Sequence, residues 1–233
     1  MKKIKKQNKI RMLLISIIIL LLLIIVVLLF GLKDNPKLIE TPKERVYHNE
    51  TVMPSYIDDI VVNSRLIPKN SKRRPSKKRE IKYIVIHETD NRSTGAGAYK
   101  HSLYLYSNND SINGWHYTVD ENEIYHNLPD NELAWHAGDG QSGDGNNYGV
   151  GIEMSVNVDG NYDKTLDNTV KLIVYLIHEY DLNIEDVKLH RDFSGKICPH
   201  RMITENKVDI FYEKIKKEYF FTYQVNKALN LAK

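Results

Sequence analysis

Three side chains of this sequence have the chemistry of metal ligands and stand where short apolar runs end. His87 closes the run 81–87 (Ile-Lys-Tyr-Ile-Val-Ile-His), and His190 closes a second run, 186–190. Cys198 follows eight residues later, across a loop that holds Gly195 and ends at Pro199. Imidazole nitrogen and thiolate sulfur are good zinc donors, and a catalytic zinc commonly takes three protein ligands and keeps one position for water. Two strand-end histidines converge when their strands meet at one edge of a sheet, and an eight-residue loop is long enough to fold the thiol back to them. Spacing alone is a weak signal, because a single strand-end histidine is more often simply hydrogen-bonded, and a lone cysteine is usually a small core residue. Cys198 is the sole cysteine, so no internal disulfide is open to it; a free thiol outside the cell is exposed to oxidation, and a metal-bound thiolate less so.

The elements that must position these ligands can be read coarsely. Residues 81–87 and 149–156 (Gly-Val-Gly-Ile-Glu-Met-Ser-Val) read as buried strands, and 186–190 as a shorter one. Residues 98–107 read as a helix with Leu103 and Tyr106 inward. Runs 115–120 and 123–127 flank Glu121-Asn122 as a hairpin. In 166–180, Leu166, Val170, Ile173, Val174 and Ile177 mark one helix face, and a last helix is expected over 207–219. Strands alternating with helices imply an α/β fold, a central sheet flanked by helices. The polar stretches 90–98 and 139–148 read as long loops, of the kind that often line a site.

Charge and hydropathy divide the chain. Residues 1–11 carry six basic groups and no acid, 12–68 one net negative charge, and 69–82 seven net positive charges. Against +3 for the whole chain, the part from Tyr83 onward is therefore nine net negative, a poor nucleic-acid binder. Residues 12–32 are apolar apart from Ser16 and Gly31; as a helix they span roughly 31 Å, close to the hydrocarbon core of a bilayer. The basic flank before them places the N-terminus in the cytoplasm and the remainder outside. A cleaved signal peptide is the rival reading, but the run is long for one and no small-residue cleavage pattern follows it. Prolines at 36, 42, 54, 68 and 75 discourage long helices in 33–80, where 56–67 is apolar enough to pack on the domain. The basic run 69–82 reads as a solvated charge run, or as a contact for anionic wall polymers or lipid headgroups. The expected organisation is thus a cytoplasmic tail (1–11), a transmembrane anchor (12–32), a stalk and entry segment (33–80), a catalytic domain (81–219) and a C-terminal tail (220–233).

Five blocks, in order, carry a resemblance: Tyr83-Ile-Val-Ile-His-Glu-Thr89, Gly114-Trp-His-Tyr-Thr-Val119, Ala134-Trp-His-Ala-Gly138, Gly149-Val-Gly-Ile-Glu-Met154 and His190-Arg-Asp-Phe-Ser-Gly-Lys-Ile-Cys-Pro199. From about residue 81 to 202 the chain resembles the N-acetylmuramoyl-L-alanine amidases of the type-2 class, which includes phage endolysins and is related to the peptidoglycan recognition proteins. The resemblance implies a mixed central sheet and zinc at His87, His190 and Cys198. The implied reaction is hydrolysis of the amide between N-acetylmuramic acid and L-alanine in bacterial peptidoglycan. Zinc would acidify a water and polarise the carbonyl. Glu153 matches the carboxylate that moves the water's proton to the departing amine; without the match it reads as a wet-face glutamate. Lys196 would set an ammonium beside the developing oxyanion; without the match it is a solvated loop lysine. By the same resemblance Trp115, His116, Trp135 and His136 border the substrate groove, although each pair reads equally as a core tryptophan beside a surface histidine. The competing reading is a non-catalytic module that binds peptidoglycan. Oligomeric state is not legible.

Overall fold

A computed structural model of the chain describes residues 53–231. Among them, seven strands form one mixed sheet: β1 (Tyr56–Ile57), β2 (Ile60–Ser64), β3 (Tyr83–Glu88), β4 (Tyr117–Val119), β5 (Glu123–His126), β6 (Gly149–Met154) and β7 (Val187–Leu189), in the order β1-β2-β5-β4-β6-β3-β7. β3 lies parallel between β6 and β7, and β4 and β5 form the expected antiparallel hairpin. The helices are α1 (Ala98–Ser107), α2 (Asp144–Tyr148), α3 (Tyr162–Tyr180), α4 (Arg191–Ser194), α5 (His200–Thr204) and α6 (Val208–Leu231).

The two-residue period of the strands separates two chemistries. Ile84 and Ile86 of β3, Val150, Ile152 and Met154 of β6, and Tyr117 and Val119 of β4 face one side, where Leu166, Val170, Ile173 and Ile177 of α3 and Phe211 and Ile215 of α6 close the main core over them. The alternate residues, among them Val85, His87, Gly151 and Glu153, face the other side, and there the sheet carries its polar groups. Asn161 starts α3 by accepting from the Lys164 N–H (3.1 Å), and Asp181, at φ 53°, stops it. Asp120, between β4 and β5, accepts from the Ala98 N–H that opens α1 (2.8 Å).

The structure corrects several expectations. α1 turns Ala98, Ser102 and Leu105 inward, whereas Leu103 and Tyr106 are exposed; small residues let the helix lie close on β4 and β5. α3 begins four residues before the expected start because Asn161 caps it there. α6 continues to Leu231, through most of the expected tail, and 139–148 ends in the short α2. Residues 56–80, the entry part of 33–80, belong to the domain, which therefore begins before residue 81: β1 and β2 join the sheet beside β5. The basic run is not uniformly solvated either. Arg74 is buried in a two-bond pair with Glu132 (2.8 and 3.1 Å) and donates to the Ile67 carbonyl (2.9 Å). Arg73 is buried against Tyr104, bonded to the Asn108 and Asn113 carbonyls (2.7 and 2.5 Å). The arginines fasten this segment down while Lys72, Lys77 and Lys78 stay exposed. The expected tail 1–11, anchor 12–32 and first part of the stalk lie outside the described residues; among those described, no helix is long and apolar enough to cross a membrane.

Candidate metal centre

Parallel pairing of β3 with β7 brings the two histidines together. Ile86 sits opposite Leu189, and the His190 N–H donates to the Ile86 carbonyl (3.1 Å), so the two rings leave adjacent strand ends. Their Nδ1 atoms lie 3.0 Å apart. The chain then turns through α4 and returns, with the Arg191 N–H on the Cys198 carbonyl (3.1 Å) closing the loop. One donor atom from each of His87, His190 and Cys198 lies within 4.8 Å of the others, and all three residues are buried.

The surrounding hydrogen bonds decide which nitrogens carry protons. His136 Nε2 lies 3.0 Å from the Gly149 carbonyl and must donate to it, which leaves His136 Nδ1 as an acceptor. His87 Nε2, 2.9 Å from that atom, therefore donates, and His87 Nδ1 is a bare lone pair. The His190 ring in turn donates to the Ala137 backbone. Two lone pairs are thus aimed at each other across 3.0 Å beside a thiol, an arrangement that is repulsive until a cation lies among them. Burial holds His87 well below the ordinary imidazole range and, with Lys196 nearby, lowers His190, so both stay neutral as ligands must. Burial, with the Glu153 charge behind it, pushes the Cys198 thiol up to about 12, and only a cation would favour the thiolate there. The donor set fits zinc.

Glu153 sits opposite His87 in the β3–β6 register, on the same face. Burial pushes its carboxyl up to about 8 against the pull of Lys196, and its Oε2 is sealed from solvent with no hydrogen-bond partner. Lys196 is exposed on the loop before Cys198, and its charge acts on Glu153, His87 and His190.

His116 is placed otherwise than expected. It is fully buried, with Nδ1 accepting from the Gly151 N–H (3.0 Å) and Nε2 donating to the Glu132 carbonyl (2.9 Å), so it walls no open groove. His136 has both nitrogens committed, one to His87 and one to Gly149, and supports a ligand from behind. Its ring lies flat on β6 because residue 151 is glycine: a Cβ there would come within 2.8 Å of His136 Nδ1. Trp115 packs on the small cluster of Ile67, Leu105, Leu128 and Ala134 and donates to Thr118 Oγ1 (2.8 Å); Trp135 is half-buried.

The family model described as N-acetylmuramoyl-L-alanine amidase matches residues 77–201, more than half of the chain. This chain belongs to that family. The match spans every residue of the centre described above. N-acetylmuramoyl-L-alanine amidase XlyA of Bacillus subtilis is 42% identical over 137 residues, covering 59% of this chain and 46% of XlyA. CwlH of the same organism is 37% identical over 144 residues, covering 62% of this chain and 57% of CwlH. The chain thus spans about half the length of the curated relatives it matches. The solved catalytic domain of XlyA superposes with a TM-score of 0.64 at 38% identity, over 67% of this chain and 99% of that domain. A mutant endolysin from Bacillus subtilis gives the same TM-score at 40% identity and the same coverage. The amidase fold is therefore the fold of this chain.

Sequence reasoning missed three supporting residues of the amidase domain. Asn146 is buried, and its Oδ1 accepts from the His136 and Ala137 N–H groups (both 2.8 Å), which fixes the backbone that carries the His136 ring. Arg79, at the edge of the basic run, donates to the Gly149 carbonyl (3.0 Å), the group that also receives the His136 proton. Glu88 follows a ligand directly and is buried. Only Glu88 left a trace in the sequence, as a carboxylate ending an apolar strand.

Proposed function

We propose that this protein is a zinc-dependent N-acetylmuramoyl-L-alanine amidase that hydrolyses the amide between N-acetylmuramic acid and L-alanine in bacterial peptidoglycan. One observation carries the reading: His87, His190 and Cys198 present donor atoms within 4.8 Å of one another, beside an unpartnered Glu153 oxygen. Zinc bound there would supply a Lewis acid for the scissile carbonyl and the attacking water.

The chain's own residues supply the rest. Glu153, whose carboxyl burial raises to about 8 in the metal-free protein, would as the carboxylate accept the proton of the attacking water and return it to the departing amine. Lys196, exposed on the loop before Cys198, would place an ammonium where negative charge develops on the carbonyl oxygen. His136 holds the His87 ring with its lone pair forward. Exposed Ile197, between Lys196 and Cys198, offers an apolar rim on which a peptide side chain can rest.

The apolar run 12–32 and its basic flank support a single-pass anchor, N-terminus in the cytoplasm, with the catalytic domain held outside the cell membrane next to its substrate. The test is digestion of purified peptidoglycan by the full chain in detergent. New L-alanine amino termini should appear and EDTA should abolish them; binding without release would favour a non-catalytic module. Mass analysis that located the cut at another bond would assign a different hydrolase.

A further inference from the structure

Glu88 is a buried carboxylate with an unusual set of partners. It follows His87 on β3, so its side chain leaves the opposite face of the sheet from that ligand. There it reaches residues more than a hundred positions later: one oxygen accepts from the Arg201 N–H (2.6 Å) and the other from the Met202 N–H (3.1 Å). The second oxygen also takes the hydroxyl hydrogen of Tyr162, from the first turn of α3. Arg201 lies over the Tyr162 ring (4.2 Å to its centre), which closes the cluster. The Glu88 backbone N–H meanwhile donates to the Cys198 sulfur. One residue thus grips both sides of the third ligand: its main chain holds the sulfur, and its side chain holds the turn of helix three residues further on.

The need for such a grip follows from the loop. Residues 194–197 are exposed, and the backbone hydrogen bonds of Cys198 stay within the loop, its N–H on the Lys196 carbonyl (2.7 Å) and its carbonyl under the Arg191 N–H (3.1 Å). His87 and His190 are fixed by strand pairing, whereas the thiol arrives on a loop whose other end is anchored through α5. Three hydrogen bonds from ordinary donors satisfy a carboxylate that burial would otherwise leave isolated.

We propose that Glu88 is a positioning residue that sets the place of the Cys198 sulfur and thereby the affinity of the centre for its metal. The proposal rests on the zinc reading above. Outer groups that orient ligands typically change metal affinity by about 10–100-fold when removed.

The experiment is titration of cobalt(II) into the metal-free full chain in detergent, followed by the near-ultraviolet thiolate-to-cobalt band and the visible bands. The parent should show one cobalt with a thiolate band. Glu88→Gln keeps the size of the side chain but sets an amide NH2 against a backbone N–H; it should bind cobalt about tenfold more weakly, with the thiolate band reduced relative to the visible bands. Glu88→Ala should lose the thiolate band. Tyr162→Phe, which removes one donor and leaves the two backbone bonds, should keep the band. A purely structural role for Glu88 would lower thermal stability in the metal-free state and leave the spectrum unchanged. Parent-like affinity and band in Glu88→Gln would overturn the proposal and leave the zinc reading standing. A parent without a thiolate band would overturn both.

Discussion

Replacing Glu153 by glutamine should make the metal-free protein more stable at neutral pH, although it removes the group assigned to proton transfer. The carboxyl is raised from 4.5 to about 8 by burial, so the folded protein holds a proton that the unfolded chain has lost. Stability then falls as pH rises between those two values and is flat above the higher one. At about 1.4 kcal/mol per unit, the cost at pH 7 is about 3 kcal/mol, and at pH 5 it is under about 1 kcal/mol. The buried histidines have lowered values and add a slope of the opposite sign in acid, but they are common to both proteins and cancel in the difference. Urea unfolding of the metal-free parent and variant at pH 5 and pH 7 reads the effect directly. The variant should gain on the parent by about 2–3 kcal/mol between the two conditions. Equal differences at both pH values would refute the idea that Glu153 is an isolated buried carboxylate. With zinc, the same variant should keep its metal and lose activity by about 10²–10⁴-fold.

Further outcomes follow from the same geometry. Cys198→Ala should lower the zinc content of the purified protein, as measured by metal analysis, because one of three donors is gone. Gly151→Ala places a Cβ 2.8 Å from His136 Nδ1 and displaces the ring that holds His87; zinc affinity should drop about 10-fold or more in a chelator competition, with about 1–3 kcal/mol lost in stability. Arg74→Ala removes the two-bond partner of buried Glu132 and leaves it only the more exposed Lys78 (3.4 Å), so it should cost about 1–3 kcal/mol in denaturant unfolding, a loss that a merely solvated basic run would not show.

The sequence announced the ligands more clearly than their supports. His87 and His190 were legible because apolar runs ended on them, and the β3–β7 pairing then followed from a parallel sheet. Glu153 was legible through the family resemblance, since its place in the strand alone reads as a wet-face glutamate. His116 was misplaced because burial depends on which neighbours cover a loop, whereas His136 stands half-buried beside His87 over the glycine-bearing strand. Leu103 was assigned inward by size, yet α1 is close enough to the sheet that Ala98 and Ser102 face it instead. The arginines at 73 and 74 looked like surface charge because their partners, Tyr104, Asn113 and Glu132, lie 31 to 58 residues away. Glu88 showed only as a carboxylate ending an apolar strand, and its partners, 74 to 114 residues distant, were hidden for the same reason.

X-ray absorption at the zinc edge of the purified full chain is the most direct measurement of the centre itself. The account requires one zinc per chain, with two imidazole nitrogens at about 2.0–2.1 Å and one sulfur at about 2.3 Å. A shell of light atoms without sulfur, or a protein that purifies and cleaves peptidoglycan with no bound metal, would contradict it.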